Sequence, residues 1–150
     1  KENGCITILN PAPARKIDEE NFKLIDFFTP NESEAEFYLN KKIKTEIDFK
    51  DAGNELLKKG VKNIIITMGE KGIYFANNEE NFFINAYKLK QPVLDTTGAG
   101  DAFNGALTVG LANNLDIKEA LTFAIKIAGI STTKLGAAAS MPFKKDLINY

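Results

Sequence analysis

The chain contains no histidine, and that absence removes a large share of enzyme chemistry at once. Histidine-based triads, imidazole general bases and His-ligated metal sites are excluded, so any general base must be a carboxylate or a perturbed Lys, Tyr or Cys. Cysteine occurs once, as Cys5. It cannot close an internal disulfide, which fits a reducing compartment, and its apolar surroundings predict a buried small side chain. Neither sign of charge dominates: 19 Lys and Arg stand against 20 Asp and Glu, a net charge of −1. With the signs interspersed there is no basic footprint for nucleic acid or for an anionic membrane. No apolar run approaches the ~20 residues of a membrane span. No signal-peptide pattern opens the chain, so a cytoplasmic location is expected. Internal repeats and low-complexity segments are absent as well.

What remains is a chain of 150 residues, 44% hydrophobic and 26% charged, the composition of one soluble globular domain. It begins at Lys1 rather than Met, and a strand-like run starts almost immediately at Cys5. The expectation is the later part of a longer protein.

The organising stretch is residues 93–105, Val-Leu-Asp-Thr-Thr-Gly-Ala-Gly-Asp-Ala-Phe-Asn-Gly. A short apolar strand is predicted to pass through the glycine pair Gly98 and Gly100 into a helix with Asp101 in its first turn. The first amides of a helix lack intrahelical partners, and the macrodipole adds roughly +0.5 charge there. Glycines let the backbone turn sharply and approach a ligand. Asp101 would sit among donors suited to a γ-phosphoryl group, within reach of an attacking hydroxyl. Plain helix capping by an acid is the competing reading of the same residues. Two named phosphate motifs fail on spacing. The dinucleotide fingerprint needs a small residue where Phe103 stands, and the P-loop needs a Gly-Lys-Ser/Thr that never occurs.

Taken in order, residues 5–9 predict a buried strand ending at the proline-stiffened Asn10-Pro-Ala-Pro-Ala14. A short helix follows Asp18. Residues 26–29 predict a second strand, stopped by Pro30. Asn31 and Glu34 then open a helix through Leu39. Three apart, they could project together, an amide toward phosphate oxygen and a carboxylate toward hydrated Mg²⁺; an acidic helix start stabilised by the dipole is the alternative. Asp48 is expected to cap a helix over 49–59, closed by Gly60. Residues 63–67, with three consecutive isoleucines, predict a strand buried on both faces, as in a central parallel strand. A tight turn over 68–72 leads to strands at 73–76 and 82–84, an antiparallel extension at one edge. Ala102, Ala106 and Gly110 would let the helix after the glycine pair pack closely on the sheet. Asp116 with Glu119 predicts a capping box and a last helix to about residue 133, apolar nearly all round and therefore buried.

Four blocks, Asn10-Pro-Ala-Pro-Ala14, Thr29-Pro-Asn-Glu-Ser-Glu34, Thr67-Met-Gly-Glu-Lys-Gly72 and Asp95-Thr-Thr-Gly-Ala-Gly-Asp-Ala-Phe-Asn-Gly-Ala106, together resemble the ribokinase-like (PfkB-type) carbohydrate kinases. The resemblance runs through the whole chain in the family's order, but covers only the family's C-terminal half. It implies a three-layer α/β/α fold, partial here: the C-terminal nucleotide-binding and catalytic part of one kinase domain, with a mostly parallel sheet and an antiparallel edge hairpin. The N-terminal sugar-binding and lid part would be missing.

The activity implied is ATP-dependent phosphorylation of a sugar's primary hydroxyl, D-ribose to ribose 5-phosphate first, with a fructokinase, a nucleoside kinase or a non-catalytic nucleotide-binding module as alternatives. By the same resemblance Asp101 is the base, and Gly98, Ala99 and Gly100 form the anion hole. Asn31, Thr67, Gly69, Glu70, Lys71 and Gly72 attend ATP, and Glu34 attends Mg²⁺ through water. Asp95, Thr97, Ser131, Lys134 (through its carbonyl), Gly136 and Ser140 enclose a monovalent cation such as K⁺. The whole protein is implied to be a homodimer paired through the lid. The 150 residues alone are expected to bind ATP weakly and turn over no sugar, because the cut sheet leaves an open edge and no lid.

Overall fold

Short apolar runs in the first part of the chain become strands where a neighbour completes their hydrogen bonds. The computed structural model describes residues 4–149, which divide into one unit up to Asn85 and another from Ala86. The first unit holds a five-stranded sheet of β1 (Ile8–Leu9), β2 (Phe27–Phe28), β3 (Asn63–Thr67), β4 (Ile73–Asn77) and β5 (Asn81–Ile84), side by side in sequence order. β1, β2 and β3 run parallel, whereas β3, β4 and β5 are antiparallel neighbours. The sheet is thus mixed, its parallel strands extended at one side by the expected antiparallel hairpin. A parallel return needs a crossover of about a dozen residues or more, and residues 68–72 are too few to make one.

Two helices serve this sheet. α1 (Glu32–Leu39) is capped by Asn31, and the chain leaves it through Asn40 in the left-handed region at φ 50°. α2 (Glu46–Lys58) is capped by Thr45, not by Asp48; Asp48 is the third helical residue, and its carboxylate reaches back to the Thr45 amide in a capping box. The helix therefore starts one turn earlier than the apolar stripe alone suggests. Phe28, Ile64, Ile66, Tyr74 and Ala76 pack with Phe49, Ala52 and Leu56 of α2 and Ala35 of α1 in one core. Ile65 and Phe75 alternate to the opposite face, both fully buried. Phe82 stacks on Phe75 there, with ring centroids 4.9 Å apart.

Two expectations fail at the outer side of the sheet. The strand expected over residues 5–9 shrinks to Ile8–Leu9, and Cys5 is exposed rather than buried. β1 is the end strand, and its ladder with β2 takes only Ile8 and Leu9. Without a longer partner the earlier residues of the run stay outside the sheet. β2 is likewise only Phe27–Phe28. Asp26 is spent on the β1 side, where its carboxylate accepts from the Thr7 amide at 2.9 Å and hydroxyl at 3.1 Å.

The second unit contains α3 (Ala99–Ala112) and α4 (Ile117–Ser131), which pack on each other. Asp116 and Glu119 form the expected capping box of α4. Gly110 of α3 faces α4 closely: a Cβ built there would stand 2.9 Å from the Ala120 Cβ. Its small size thus serves a helix–helix contact. α4 is not apolar all round, because Lys118, Glu119 and Thr122 are exposed opposite its buried Ala120, Leu121, Ala124 and Ile127. Residues 93–95 form no strand. Val93 and Leu94 are exposed, and the Leu94 and Asp95 amides both donate to the Thr132 carbonyl, at 2.8 and 3.2 Å, just past the end of α4. The apolar pattern signalled a strand, but the segment finds its acceptor at a helix terminus. Among the described residues no helix is long and apolar enough to cross a membrane.

Candidate active site

In the first unit the candidate residues gather where β2 and β3 end. Past β2 the chain turns through Thr29 and Pro30 into α1. The Pro30 carbonyl accepts the Thr67 amide at 2.9 Å, and Asn31 and Thr67 form a parallel bridge. The start of α1 is therefore stitched to the end of β3, the carboxyl-end position where open α/β sheets bind ligands.

Asn31 and Glu34 face one another instead of standing free side by side. The Asn31 Oδ1 accepts from the Glu34 amide at 2.9 Å and from the Ser33 hydroxyl at 2.8 Å. The Asn31 amide donates to Glu34 Oε2 at 2.8 Å. This reciprocal capping box satisfies two orphan donors of the helix. It leaves the side-chain NH₂ of exposed Asn31 as the group suited to an anion, and the second oxygen of buried Glu34 as the group suited to a hydrated cation.

Thr67 leads into a single 3₁₀ turn, Gly69–Lys71. The Met68 amide donates to the Gly72 carbonyl at 2.8 Å, closing the turn. Gly69 has φ 57° and Gly72 φ 102°, a conformation that residues bearing a Cβ adopt with strain. Around Gly69 nothing lies within 4 Å of a built Cβ, so its backbone is open to a ligand. Glu70 and Lys71 are exposed. The Lys71 ammonium lies 3.9 Å from a Glu32 oxygen, a loose pairing that leaves it able to meet an anion.

In the second unit a loop, a helix N-terminus and a turn come together. Gly98 is the N-cap of α3 in the left-handed region, φ 79°. The Ala99 amide donates to Thr96 O at 3.2 Å and the Ala102 amide to Gly98 O at 2.9 Å. Among the described residues no acceptor meets the Gly100 and Asp101 amides. They are the orphan donors expected of a helix start, and they carry the positive end of its dipole. Asp101 is exposed beside them. A carboxylate next to free amides at a helix mouth can both accept a proton and share in holding an anion.

Asp95 ties this loop to the turn after α4. Its Oδ1 accepts from the Thr97 amide at 2.9 Å and its Oδ2 from the Gly136 amide at 2.8 Å. The Thr97 hydroxyl and these amides hold the Asp95 carboxyl below the usual carboxylate range, so it is ionised and held by neutral donors rather than by a cationic side chain. The structure thus joins Asp95, Thr97 and Gly136. Ser131 and Ser140 are turned elsewhere: Ser131 Oγ donates to Ala128 O at 2.7 Å, Ser140 Oγ to Ala137 O at 2.8 Å, and both are buried. The Lys134 amide donates to Ser131 O at 3.3 Å, and its ammonium lies 3.4 Å from Asp146.

No group of three or more Cys, Asp or Glu able to hold a metal occurs among the described residues. Three residues with a part in the site carried no sequence signal. Thr132 acts through its carbonyl, which any residue has, and Ala137 and Met141 act through contact with Gly98.

Comparison with known proteins then places the chain. The model of the pfkB family of carbohydrate kinases matches residues 1–144. A Staphylococcus aureus protein named ribokinase is 39% identical over 148 residues, covering 98% of this chain and 48% of the relative. A Salmonella typhi protein named deoxyribokinase is 36% identical over 143 residues, covering 95% of this chain and 46% of the relative. Among solved structures, the Arabidopsis thaliana ribokinase complexed with ribose and ATP superposes with a TM-score of 0.91 at 29% identity, over 99% of this chain and 48% of that one. The fold is therefore α/β and ribokinase-like, and the chain spans about half the length of the curated relatives it matches.

Proposed function

The chain belongs to the pfkB family of carbohydrate kinases, and from that premise we propose that it carries the base and phosphate-holding part of an ATP-dependent sugar kinase. The observation that carries the reading is the start of α3, where exposed Asp101 stands beside two amides that meet no acceptor among the described residues, at a left-handed glycine. Asp101 takes the proton from the primary hydroxyl of the sugar as that oxygen attacks the γ-phosphorus. The bond from phosphorus to the β–γ bridging oxygen breaks, and ADP leaves with the electron pair. The Gly98-Ala99-Gly100 turn, with the Ala99 amide spent on Thr96 O, presents the Gly100 and Asp101 amides to the equatorial oxygens, on which charge is spread in the transition state. Such chemistry needs positioning and charge neutralisation, which this histidine-free chain can supply.

The remaining groups take supporting roles. Asn31, Thr67 and the turn over residues 69–72, with its open Gly69 and exposed Glu70 and Lys71, are suited to the nucleotide and its phosphates. Glu34 would hold Mg²⁺ through water, since one of its oxygens is already committed to the helix cap. That ion would supply charge neutralisation at the phosphates. Asp95 and the Lys134 carbonyl, in the loops that Thr97 and Gly136 tie together, offer the oxygens for a monovalent cation such as K⁺. Ser131 and Ser140 fit less well, with both hydroxyls turned to carbonyls of their own segments.

The sugar is D-ribose by the name of the Staphylococcus aureus relative, and 2-deoxyribose is the second reading by the name of the Salmonella typhi one. An ADP-release assay on the complete gene product carrying this chain, with ribose, deoxyribose, fructose and adenosine side by side, separates these. Asp101→Asn should lower turnover by about 10²–10⁴-fold. Near-normal turnover by that variant would remove Asp101 as base, and no ADP release with any acceptor would leave a nucleotide-binding module instead. Residues 1–150 expressed alone should phosphorylate no sugar, since they span about half the length of the relatives they match and β1, paired on one side with β2, ends the sheet of the described residues; measurable ribose phosphorylation by that segment contradicts this.

A further inference from the structure

We propose that Met141, together with Ala137, is a positioning residue for the anion-holding turn. The two side chains form the seat on which Gly98 rests, and through Gly98 they set the direction of the Gly100 and Asp101 amides. What those amides hold rests on the reading above, but the seat is geometry within the second unit. A Cβ built on Gly98 would stand 3.0 Å from both the Cα and the Cβ of Ala137 and 3.3 Å from the Met141 Cε. No side chain fits between Gly98 and this surface.

The seat is itself anchored. The Ser140 hydroxyl and amide donate to the Ala137 carbonyl at 2.8 and 3.3 Å, and the Met141 amide donates to the Ala138 carbonyl at 3.4 Å. Ser140 is fully buried. At the other end the Gly136 amide is held by Asp95 at 2.8 Å, and the chain before Asp95 hangs from the Thr132 carbonyl. The turn over 136–141 is thus pinned on both sides of its contact with Gly98. Glycine populates many conformations with nearly equal ease, so Gly98 stays at φ 79° because its surroundings allow no other. Ala137 supplies the fixed part of those surroundings and Met141 the adaptable part, an unbranched side chain that fills an irregular gap.

The test uses the complete gene product with Met141→Ala and Met141→Leu. Leu121→Ala, a fully buried position in α4, serves as a control that lowers stability without touching the seat. Two quantities are read: hydrogen exchange of the Ala99 and Ala102 amides, which donate to Thr96 O and Gly98 O on either side of the turn, and the split between kcat and KM for ATP. Met141→Ala should speed exchange of those amides about tenfold and lower kcat about 5- to 50-fold with KM for ATP changed less than about threefold. Met141→Leu, close in volume, should restore both. Leu121→Ala should lower Tm while leaving the exchange of these amides and kcat near those of the parent. Unchanged exchange in Met141→Ala, a Leu variant as poor as the Ala variant, or a control that reproduces both effects would each overturn the proposal. Should the parent release no ADP with any sugar, the kinase reading fails, and exchange alone still decides whether Met141 seats the turn.

Discussion

Two glycines seven residues apart at the start and middle of α3, Gly98 and Gly105, should respond to alanine with opposite signs. Gly98 has φ 79°, and an L-residue held there costs about 1–2 kcal/mol. Its new methyl would also stand 3.0 Å from the Ala137 Cα, a backbone atom that cannot rotate away, and overpacking of this kind costs about 1–3 kcal/mol. Allowing for partial relaxation, Gly98→Ala should destabilise the protein by about 2–4 kcal/mol. Gly105 lies in the same helix with nothing within 4 Å of a built Cβ. Alanine there removes the glycine penalty of a helix interior, so Gly105→Ala should stabilise by about 0.5–1 kcal/mol. Urea unfolding of parent and both variants, with equal m-values so that the midpoints report stability, measures the two shifts. In an active preparation Gly98→Ala should also lower turnover by about 10²-fold or more, as for removal of a donor from an anion hole. A Gly98→Ala midpoint within about 0.5 kcal/mol of the parent, or shifts of the same sign at both sites, would refute the account of the turn.

Two further outcomes follow from the helix caps. Asn31→Ala removes the oxygen that accepts the Glu34 amide and should cost about 1 kcal/mol in thermal or urea unfolding; full stability would mean that α1 starts independently of its cap. Asp48 is held below the ordinary carboxylate range, first by the Thr45 amide, then by the Lys44 amide and the Thr45 hydroxyl. A depressed folded pKa adds stability above the unfolded value that is lost as pH falls through the folded one, so the advantage of the parent over Asp48→Asn should shrink below about pH 4. An advantage of the same size at about pH 6 and about pH 3 would remove Asp48 from the acid response.

Much of the fold and of the candidate site was legible where the deciding interaction lies within a few residues. The Asp116–Glu119 box, the Asn31 helix start, the Gly69–Gly72 turn and the left-handed Gly98 before Asp101 are all local. Each follows from donors that a helix or turn leaves unpaired and from side chains close enough in sequence to meet them. The helix start at Thr45 was harder to read, because a second capping residue three positions on competed for the same role.

What the sequence by itself determined is therefore the main helices, the β3–β4–β5 hairpins and the glycine-led start of α3 with Asp101 in its first turn, since these depend on side-chain type and short spacing. Only the tertiary structure decided that residues 93–95 hang from the Thr132 carbonyl instead of joining a sheet, that Cys5 is exposed beside an end strand, and that Ala137 and Met141 seat Gly98. Those outcomes turn on backbone atoms and van der Waals contacts between segments distant in the chain. Every residue offers the same carbonyl, and a methyl fills a gap whichever residue carries it, so nothing in residue type announces which partner the folded chain will supply.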